Sequence, residues 1–282
     1  MISPVVQSRI AARVMGSTVG HLRVADVKSL QLPPLPSLPL QIAVSAVLGS
    51  LDDKIAANGQ LALALEDLAS AEFEFARSSA VGAVGLADIV TTQYGLTTSA
   101  HSAPGPKFLR VTDINKNPWV NWEAAPNCSV DEAELSKYRV VAGDILVARM
   151  ADPGKAGYVD EHHPEAVFAS YLVRLKSVDP SNALYIYYFL RSSQYKRYAA
   201  SATQGTVQKN MNAKVIVATD IPMPTTDRIA RFTESAEPLR RSVRATQVEN
   251  RKLAELRDTL LPELMSGRLR VKDAEKKIEE VM

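Results

Sequence analysis

Two stretches of this sequence repeat each other at a constant offset of 188 residues. Residues 9–36 read RIAARVMGSTVGHLRVADVKSLQLPPLP, and residues 197–224 read RYAASATQGTVQKNMNAKVIVATDIPMP. The matched pairs include Arg9 with Arg197, Thr18 with Thr206, Val19 with Val207, and the prolines of a Pro-x-Pro sequence that ends each copy. The fold of this chain must therefore contain one structural unit twice. Each copy reads as a basic segment, then a short apolar run typical of a strand, then a proline stop and a long helix.

The long segments after the prolines have helical periodicity. Apolar residues recur at spacings of three, four and seven from about residue 38 to 77, and again from about 228 to 265. One apolar stripe on each helix needs a partner, so we expect the two helices to form an antiparallel coiled coil. The stripe of the first helix also includes Leu61 and Phe75. The predicted contact residues for the helix pair or a partner are Leu51, Ile55, Leu65, Leu68, Leu239, Val243, Leu253 and Leu256.

Polar residues interrupt the two stripes at equivalent positions, Asn58 and Thr246. A polar residue at such a position commonly fixes the register of a coiled coil at some cost in stability. Pro238 lies inside the second helical pattern, so we expect it to sit near a helix start or to force a kink.

The region between the helices has mixed character. Segments 107–114, 143–150, 156–161 and 167–176 are rich in β-branched and aromatic residues and are predicted as strands, whereas 182–200 is predicted as a helix with its tyrosines on the buried side. The fold class expected is therefore α+β, with one mixed α/β domain flanked by two long helices.

Charge distribution points to an anionic partner, although the net charge of +2 is close to neutral. No acidic residue occurs between Asp179 and Asp220, while five basic residues lie there among tyrosines. A basic segment free of carboxylates suits contacts with phosphate groups. A solvated helix face with tyrosines packed beneath it is the alternative interpretation.

Polar and basic residues near 110–116 and 204–210 could contact DNA bases and phosphates. Asp113 would be repelled by phosphate, so we expect it to orient a neighbouring arginine. The predicted DNA-binding residues are Arg110, Thr112, Asn115, Lys116, Arg149, Lys155, Arg197, Gln204, Thr206, Gln208, Lys209 and Asn210.

Motifs for catalysis or metal binding are not evident. ADPGKAG (151–157) lacks the glycine spacing and the Ser/Thr of a P-loop, so a turn is favoured. His162 and His163 are adjacent, which fits a surface turn better than a metal site. Cys128 is the single cysteine, which excludes an internal disulfide. We therefore expect a non-enzymatic chain without its own metal or cofactor.

The sequence lacks a stretch of 18 apolar residues and a secretory pattern at the N-terminus. We expect no membrane association and a cytoplasmic location.

Several motifs together resemble the specificity (S) subunit of type I restriction-modification systems. The first is residues 34–73, PLPSLPLQIAVSAVLGSLDDKIAANGQLALALEDLASAEF, which is similar to the central conserved helix of that family. The others, in the order of the family, are FLRVTDI (108–114), GDILVAR (143–149), GKAGYV (154–159), YIYYFLRS (185–192), GTVQKN (205–210) and LRDTLLPELMSGRLRV (256–271).

The resemblance implies a division of the chain into domains. These would be the C-terminal remnant of a first target-recognition domain (1–36), a central conserved spacer helix (37–79), a complete target-recognition domain (80–225), a C-terminal conserved spacer helix (226–270) and a charged tail (271–282).

It also implies partners. A DNA-recognition subunit of this family binds double-stranded DNA and docks methyltransferase (M) subunits, and through them restriction (R) subunits. S-adenosylmethionine, ATP and Mg would belong to those partner subunits, and catalysis with them.

The sequence departs from the family because the first recognition domain is represented only by its closing segment. One recognition domain can specify half of a bipartite site. Either the chain is a shortened or non-functional S polypeptide, or it pairs with a second S chain or a copy of itself that supplies the missing half. Dimerisation of two such chains through their helices would restore two-fold symmetry. The alternative function is a truncated coiled-coil scaffold that binds partner subunits but has lost DNA recognition.

Overall fold

The structure is a computed structural model and describes residues 4–15, 20–31, 35–203 and 210–280, without the side chains of Pro4 and Val5. It divides into two compact units, Met1–Leu61 with Arg244–Met282, and Ala62–Val243. Within the described residues, no helix is both long and apolar enough to cross a membrane.

Eleven α-helices occur in the described part of the chain. They are α1 (Pro4–Ala11), α2 (Val24–Lys28), α3 (Leu38–Ser78), α4 (Leu86–Ile89), α5 (Val111–Ile114), α6 (Glu132–Tyr138), α7 (Ala183–Arg191), α8 (Ser193–Ala202), α9 (Ala213–Val217), α10 (Thr226–Ser266) and α11 (Val271–Glu279).

Ten strands occur in the same described residues. They are β1 (Gly82–Gly85), β2 (Val90–Tyr94), β3 (Ala100–His101), β4 (Lys107–Leu109), β5 (Asn127–Cys128), β6 (Ile145–Ala148), β7 (Ala156–Tyr158), β8 (Ala166–Phe168), β9 (Leu172–Ser177) and β10 (Asp220–Met223).

The two long helices reproduce the sequence repeat. Each has 41 residues, and both ends of α10 lie 188 positions after the corresponding ends of α3. The sequence periodicity placed these helices within two residues of their observed ends. Pro238 lies well inside α10, which excludes a helix start at this residue; the alternative, a kink, stays a prediction.

The first unit has an apolar core built from three helices. Within this unit α3 and α10 are antiparallel, since Asp52 pairs with Arg257 while Asn58 bonds to Asn250 further back along α10. The buried core residues are Val44, Val47 and Leu51 of α3, Leu253, Leu260 and Leu264 of α10, and Ala274 and Ile278 of α11.

Asn58 is almost fully buried in this helix pair, with 4% of its surface exposed. Its Nδ2 donates to Glu249 Oε2 and to Asn250 Oδ1, both at 2.9 Å, and Asn250 Nδ2 donates to the carbonyl of Ile55 at 3.2 Å. A buried amide that finds all these partners in one register disfavours slipped registers, because slippage would leave it unsatisfied.

Residues 271–279 form helix α11 and not a mere charged tail, which corrects the sequence prediction for the described part of 271–282. Ala274 and Ile278 of α11 are four residues apart, share one helix face, and are buried against α3 and α10. Lysines and glutamates make up most of α11, so the apolar pair was not recognised in the sequence.

The second unit contains all ten strands in three small sheets. β2, β9, β6 and β7 form an antiparallel sheet in that order, β3, β5, β4 and β8 form another in which β4 and β8 are parallel, and β1 pairs with β10. The predicted strand at 167–176 is two strands, β8 and β9, and the predicted strand at 107–114 changes into helix α5 after Leu109.

Aromatic side chains hold the long helices of the second unit against α7. Every residue of α7 from Ala183 to Leu190 is buried, and Phe73 of α3 contacts Tyr185, Tyr188 and Phe232 of α10 at ring-centroid distances of 5.0–6.2 Å. Tyr185, Tyr187, Tyr188 and Tyr195 are buried as predicted, and Tyr198 is partly buried. The predicted single helix at 182–200 is broken, because Ser192 is extended and caps α8 with its side chain.

Leu68 is not buried in the helix pair, so that part of its prediction is wrong, while contact with a partner stays a prediction. This residue is 48% exposed, as are Leu61 (49%) and Phe75 (61%) on the same stripe. The buried face of α3 in the second unit instead carries Ala62, Glu66, Ala69, Phe73 and Ala76. The alanines of this face allow α7 and α10 to approach closely. The sequence prediction instead assigned the buried face from the larger apolar side chains. Of the other predicted contact residues, Leu51, Val243 and Leu253 are buried, and Ile55, Leu65, Leu239 and Leu256 are partly buried.

The apolar run that was predicted as a strand in each repeat copy is a short helix, α2 in the first and α9 in the second. Asn212 explains the second case, since its side chain accepts from the backbone N–H of Val215 and caps α9.

Candidate nucleic-acid interface

A cleft of about 440 Å³ lies in the second unit, between the segment after β4, the turn before β7, and helices α7 and α8. We call it the basic cleft. Its lining residues are Ile114, Asn115, Lys116, Asn117, Pro118, Ala151, Asp152, Pro153, Gly154, Lys155, Ala156, Leu190, Arg191, Lys196, Ala199, Ala200 and Thr203.

Four cations and one carboxylate line the basic cleft. Lys116, Lys155 and Lys196 are exposed, and Arg191 is partly buried. Asp152 is the single acidic residue among the lining residues. This excess of positive charge within one concave surface attracts an anionic ligand, and low-dielectric walls strengthen the attraction.

The turn that carries Lys155 is held in an unusual backbone conformation. Ala151 has a positive φ of 63°, and Gly154 one of 87°. A Cβ at Gly154 would also lie 2.7 Å from the Cβ of Ala199 on α8. Glycine is therefore required here both by the backbone and by the close approach of α8. The turn is thereby packed against α8, which brings Lys155 and Lys196 to the same cleft.

Asn115 and Asp152 join two walls of the cleft. Asn115 Nδ2 donates to Asp152 Oδ2 at 3.3 Å, and Asn115 Oδ1 is buried without a partner among the described residues. The hydrogen bond takes up part of the Asp152 charge, which reduces its repulsion of an anion. Buried acceptors without a partner are rare in native structures, which makes this amide a candidate for contact with a ligand.

Arg191 ends the aromatic helix α7 and enters the cleft with its side chain 23% exposed. Its guanidinium group lies over the rings of Tyr187 and Tyr188, at 5.3 and 5.6 Å. Burial raises the pKa of both tyrosines, so their hydroxyls stay neutral and remain hydrogen-bond donors. Tyr187 donates to the carbonyl of Pro118, another lining residue, at 2.7 Å.

Arg149 belongs to a second group. Its guanidinium lies 5.1 Å from the ring centre of Tyr94, and its Nη2 makes a long contact of 3.5 Å with Asn210 Oδ1. The Tyr94 hydroxyl accepts from the backbone N–H of Ala213 at 2.9 Å, and the carbonyl of Arg149 accepts from Met211. This group holds the chain directly after residues 204–209.

The structure thus brings Asn115, Lys116 and Lys155 together, and Arg149 with Asn210. Arg197 is exposed on α8 beside Lys196 but does not line the cleft. Gln204, Thr206, Gln208 and Lys209 lie outside the described residues; Thr203 before them lines the cleft.

Arg110 and Thr112 lie outside the basic cleft. Asp113 Oδ2 accepts from the backbone N and the Nε of Arg110, and Oδ1 accepts from its Nη2, so Asp113 contacts the arginine that it was expected to orient. Thr112 is exposed, with its hydroxyl 3.4 Å from Asp113 Oδ1.

Among the described residues, no group of three or more His, Cys, Asp or Glu side chains is arranged to hold a metal ion. His163 stacks on Trp122 at 5.8 Å, and its Nδ1 contacts the carbonyl of Pro164.

Sequence reasoning did not select Arg191 and Lys196 as DNA-binding residues, although both lie in the acid-free basic segment. The sequence feature that could have identified Arg191 is its position at the end of an otherwise aromatic and aliphatic helix. A charged residue there must reach solvent or a buried counter-charge.

Comparison of the sequence with protein-family models and with curated proteins gives no match. Solved structures do match. The S subunit of the type I restriction-modification system of M. genitalium has a TM-score of 0.59 at 15% identity, over 92% of this chain and 69% of that one. The HsdS subunit from Thermoanaerobacter tengcongensis has a TM-score of 0.42 at 16% identity, over 94% and 68%. The similarity to the M. genitalium protein shows that this chain has the fold of an S subunit.

Proposed function

We propose that this chain is a non-catalytic DNA-sequence-recognition subunit of a type I restriction-modification complex. The observation that carries the proposal is the basic cleft, where Asn115, Lys116 and Lys155 meet Arg191 and Lys196 from another part of the sequence. The fold of an S subunit supports the same assignment.

The cleft chemistry divides between affinity and sequence reading. Lysine ammonium groups are compact charges that bind phosphate oxygens without regard to sequence. Asn115 offers an amide, which pairs with the edges of bases, and its position between lysines would bring it to a base once the phosphates are bound. A volume of about 440 Å³ accommodates phosphate groups and a base edge, not the whole width of a duplex.

The partners in this proposal are duplex DNA, a methyltransferase subunit docked on the chain, and a restriction subunit reached through it. S-adenosylmethionine, ATP and Mg would be bound by those subunits. A copy of the chain or a second S chain would supply the other half of a bipartite target, and the compartment would be the cytoplasm.

Affinity for duplex DNA as a function of salt tests this function. We would measure it by fluorescence anisotropy on the full chain in complex with its methyltransferase subunit. The test variant replaces Lys116, Lys155 and Lys196 with alanine. The control replaces Lys272, Lys276 and Lys277, three exposed lysines of α11, and so makes the same change in net charge.

The wild type is expected to lose affinity steeply with added salt. In the cleft variant, the slope of log K against log salt should fall by about 0.9 for each phosphate that a lysine no longer neutralises, and in the control it should stay unchanged. A flat wild-type response contradicts the proposal. Retained methyltransferase binding without any DNA binding would select the scaffold function instead.

A further inference from the structure

A chain of alternating charges runs through the interior of the second unit from Asp160 to the basic cleft. Arg240 of α10 binds Asp160 through Nε and Nη2 at 2.9–3.1 Å, and donates from Nη1 to Glu66 Oε1 at 3.1 Å. Glu66 of α3 in turn accepts at Oε2 from Arg191 Nη1 at 2.6 Å. The chain holds two carboxylates and two guanidinium groups, so its charges balance.

Glu66 is the shared member of this chain. Its side chain is 2% exposed, and its two carboxylate oxygens are divided between the two arginines. Tyr188 adds a third donor to Oε2 at 3.2 Å. A carboxylate this deeply buried requires all of these partners, because removal from water costs several kcal/mol per ion.

Arg191 uses only part of its hydrogen-bonding capacity in this network. Among the described residues, all of its hydrogen bonds are made by Nη1, to Glu66 and to the hydroxyl of Tyr187. Its Nε and Nη2 make no hydrogen bond to any described residue, and the side chain lines the basic cleft. Ring contacts with Tyr187 and Tyr188 fix the plane of the guanidinium group. An arginine whose plane is fixed loses little entropy when it binds an oxyanion.

We propose that Arg191 is an anion-binding residue of the basic cleft, taking one phosphate group of the DNA, and that Glu66 is its positioning residue. The inference rests on the proposed function and deepens it. α3 thereby does more than act as a spacer, because its buried carboxylate sets the orientation of a phosphate contact.

Glu66 could position Arg191 for phosphate binding or could only stabilise the fold. Variants of Asp160 distinguish these two roles, because Asp160 pairs with Arg240 but not with Arg191. Asp160→Asn and Glu66→Gln both remove a carboxylate from Arg240, but only Glu66→Gln also releases Arg191. Duplex DNA affinity is measured with the full chain in complex with its methyltransferase subunit, beside thermal unfolding of each variant. Arg191→Gln and the double variant Glu66→Gln/Arg191→Gln complete the set.

Arg191→Gln is expected to weaken DNA binding about tenfold, since it removes a charge-assisted contact. Glu66→Gln is expected to weaken binding by about threefold or more, and Asp160→Asn to leave the affinity unchanged. The double variant should bind no more weakly than Arg191→Gln alone. Equal losses in Glu66→Gln and Asp160→Asn, or additive losses in the double variant, would overturn the inference.

Glu66→Gln leaves Arg240 with less counter-charge, so a second pair of variants guards against misfolding. Arg240→Gln and Glu66→Gln/Arg240→Gln differ only in Glu66 and lack the buried cation. We expect the double variant to bind DNA about threefold or more weakly than Arg240→Gln, the same loss that Glu66→Gln causes in the wild type.

Inorganic phosphate separates this inference from the proposed function. Its binding to the full chain is followed through the Nε–H NMR signal of Arg191. A phosphate-dependent shift that Glu66→Gln weakens and Asp160→Asn retains supports the inference, even if duplex DNA is not bound and the proposed function fails. No shift in the wild type overturns it.

Discussion

The two copies of the repeat share their long helices but differ in what their preceding segments contact. α3 and α10 have the same length and the same offset at both ends. In the second copy, the segment before α10 is built into the core of its unit. The buried residues of that segment include Tyr195, Met211, Ile216 and Val217, and the first copy has exposed Gln7, Arg23, Lys28 and Ser29 at the equivalent positions.

This difference separates the contacts of the helix framework from the contacts that a preceding segment makes with the mixed α/β domain. Helix length is retained in both copies, since the pairing of α3 with α10 depends on it. In the second copy, the described residues of the preceding segment supply apolar side chains to the core of their own unit. The first segment carries exposed polar residues at these four positions, although Val6 of α1 is buried.

The sharpest test of this difference exchanges one residue between the copies. Ile216→Lys puts an ammonium group at a fully buried site and is expected to destabilise the second unit by about 4 kcal/mol or more. Lys28→Ile at the equivalent exposed site should change stability by no more than about 0.5 kcal/mol. Denaturant unfolding measures both, and similar losses would remove the distinction between the copies.

The ion pairs of the two helix regions give the next largest contrast. Glu66 is buried between Arg191 and Arg240, whereas Asp52 pairs with Arg257 at a site where Asp52 is 57% exposed. Glu66→Gln is expected to cost about 3 kcal/mol because it leaves Arg240 under-compensated. Asp52→Asn should cost less than about 1 kcal/mol. Chemical denaturation at moderate salt provides the comparison, and a larger loss for Asp52→Asn would contradict the burial difference.

Basic residues of the two segments give the smallest expected difference. Lys196 and Arg197 of α8 lie at and beside the basic cleft, whereas Arg9 and Arg13 bind the backbone carbonyls of Gln31 and Asp26 in their own segment. Replacing Lys196 and Arg197 with alanine should lower the salt slope of DNA binding by about 0.9 for each phosphate that is left without its cation. Replacing Arg9 and Arg13 should leave the slope unchanged. An equal reduction from both pairs would mean that both segments contact DNA.

The sequence predicted the long helices well because their signal is local. Apolar spacing and the proline stops before each helix are visible without knowledge of any distant residue. Leu68 shows the limit of that signal. Which face of α3 is buried depends on the rings of Tyr185, Tyr188 and Phe232, which are distant in the sequence. These rings pack against Ala69 and Phe73 of α3 and not against Leu68 of the predicted stripe.

The basic cleft was predictable only in part. Lys116 and Lys155 were found from local polarity, but Lys196 and Arg191 meet them through the order of strands and the packing of α8 on Gly154. Glu66 and Arg191 are 125 residues apart in the sequence, and no local pattern connects them. The repeat was also predictable only in part. Its two long helices are evident from the sequence, whereas the exposure of Lys28 and its neighbours in the first segment is known only from the structure.

Selection of bound duplexes from a random DNA pool tests the central claim that the basic cleft reads DNA sequence. The full chain with its methyltransferase subunit would be compared with the Asn115→Ala cleft variant, which keeps the three lysines that bind phosphate, and the recovered duplexes sequenced. We expect the wild type to enrich a defined motif, as one half-site or as two separated halves, and the variant to lose the preference at one or more positions of that motif. Recovery without any enriched motif, or the same motif at the same strength from the Asn115→Ala variant, would contradict the account.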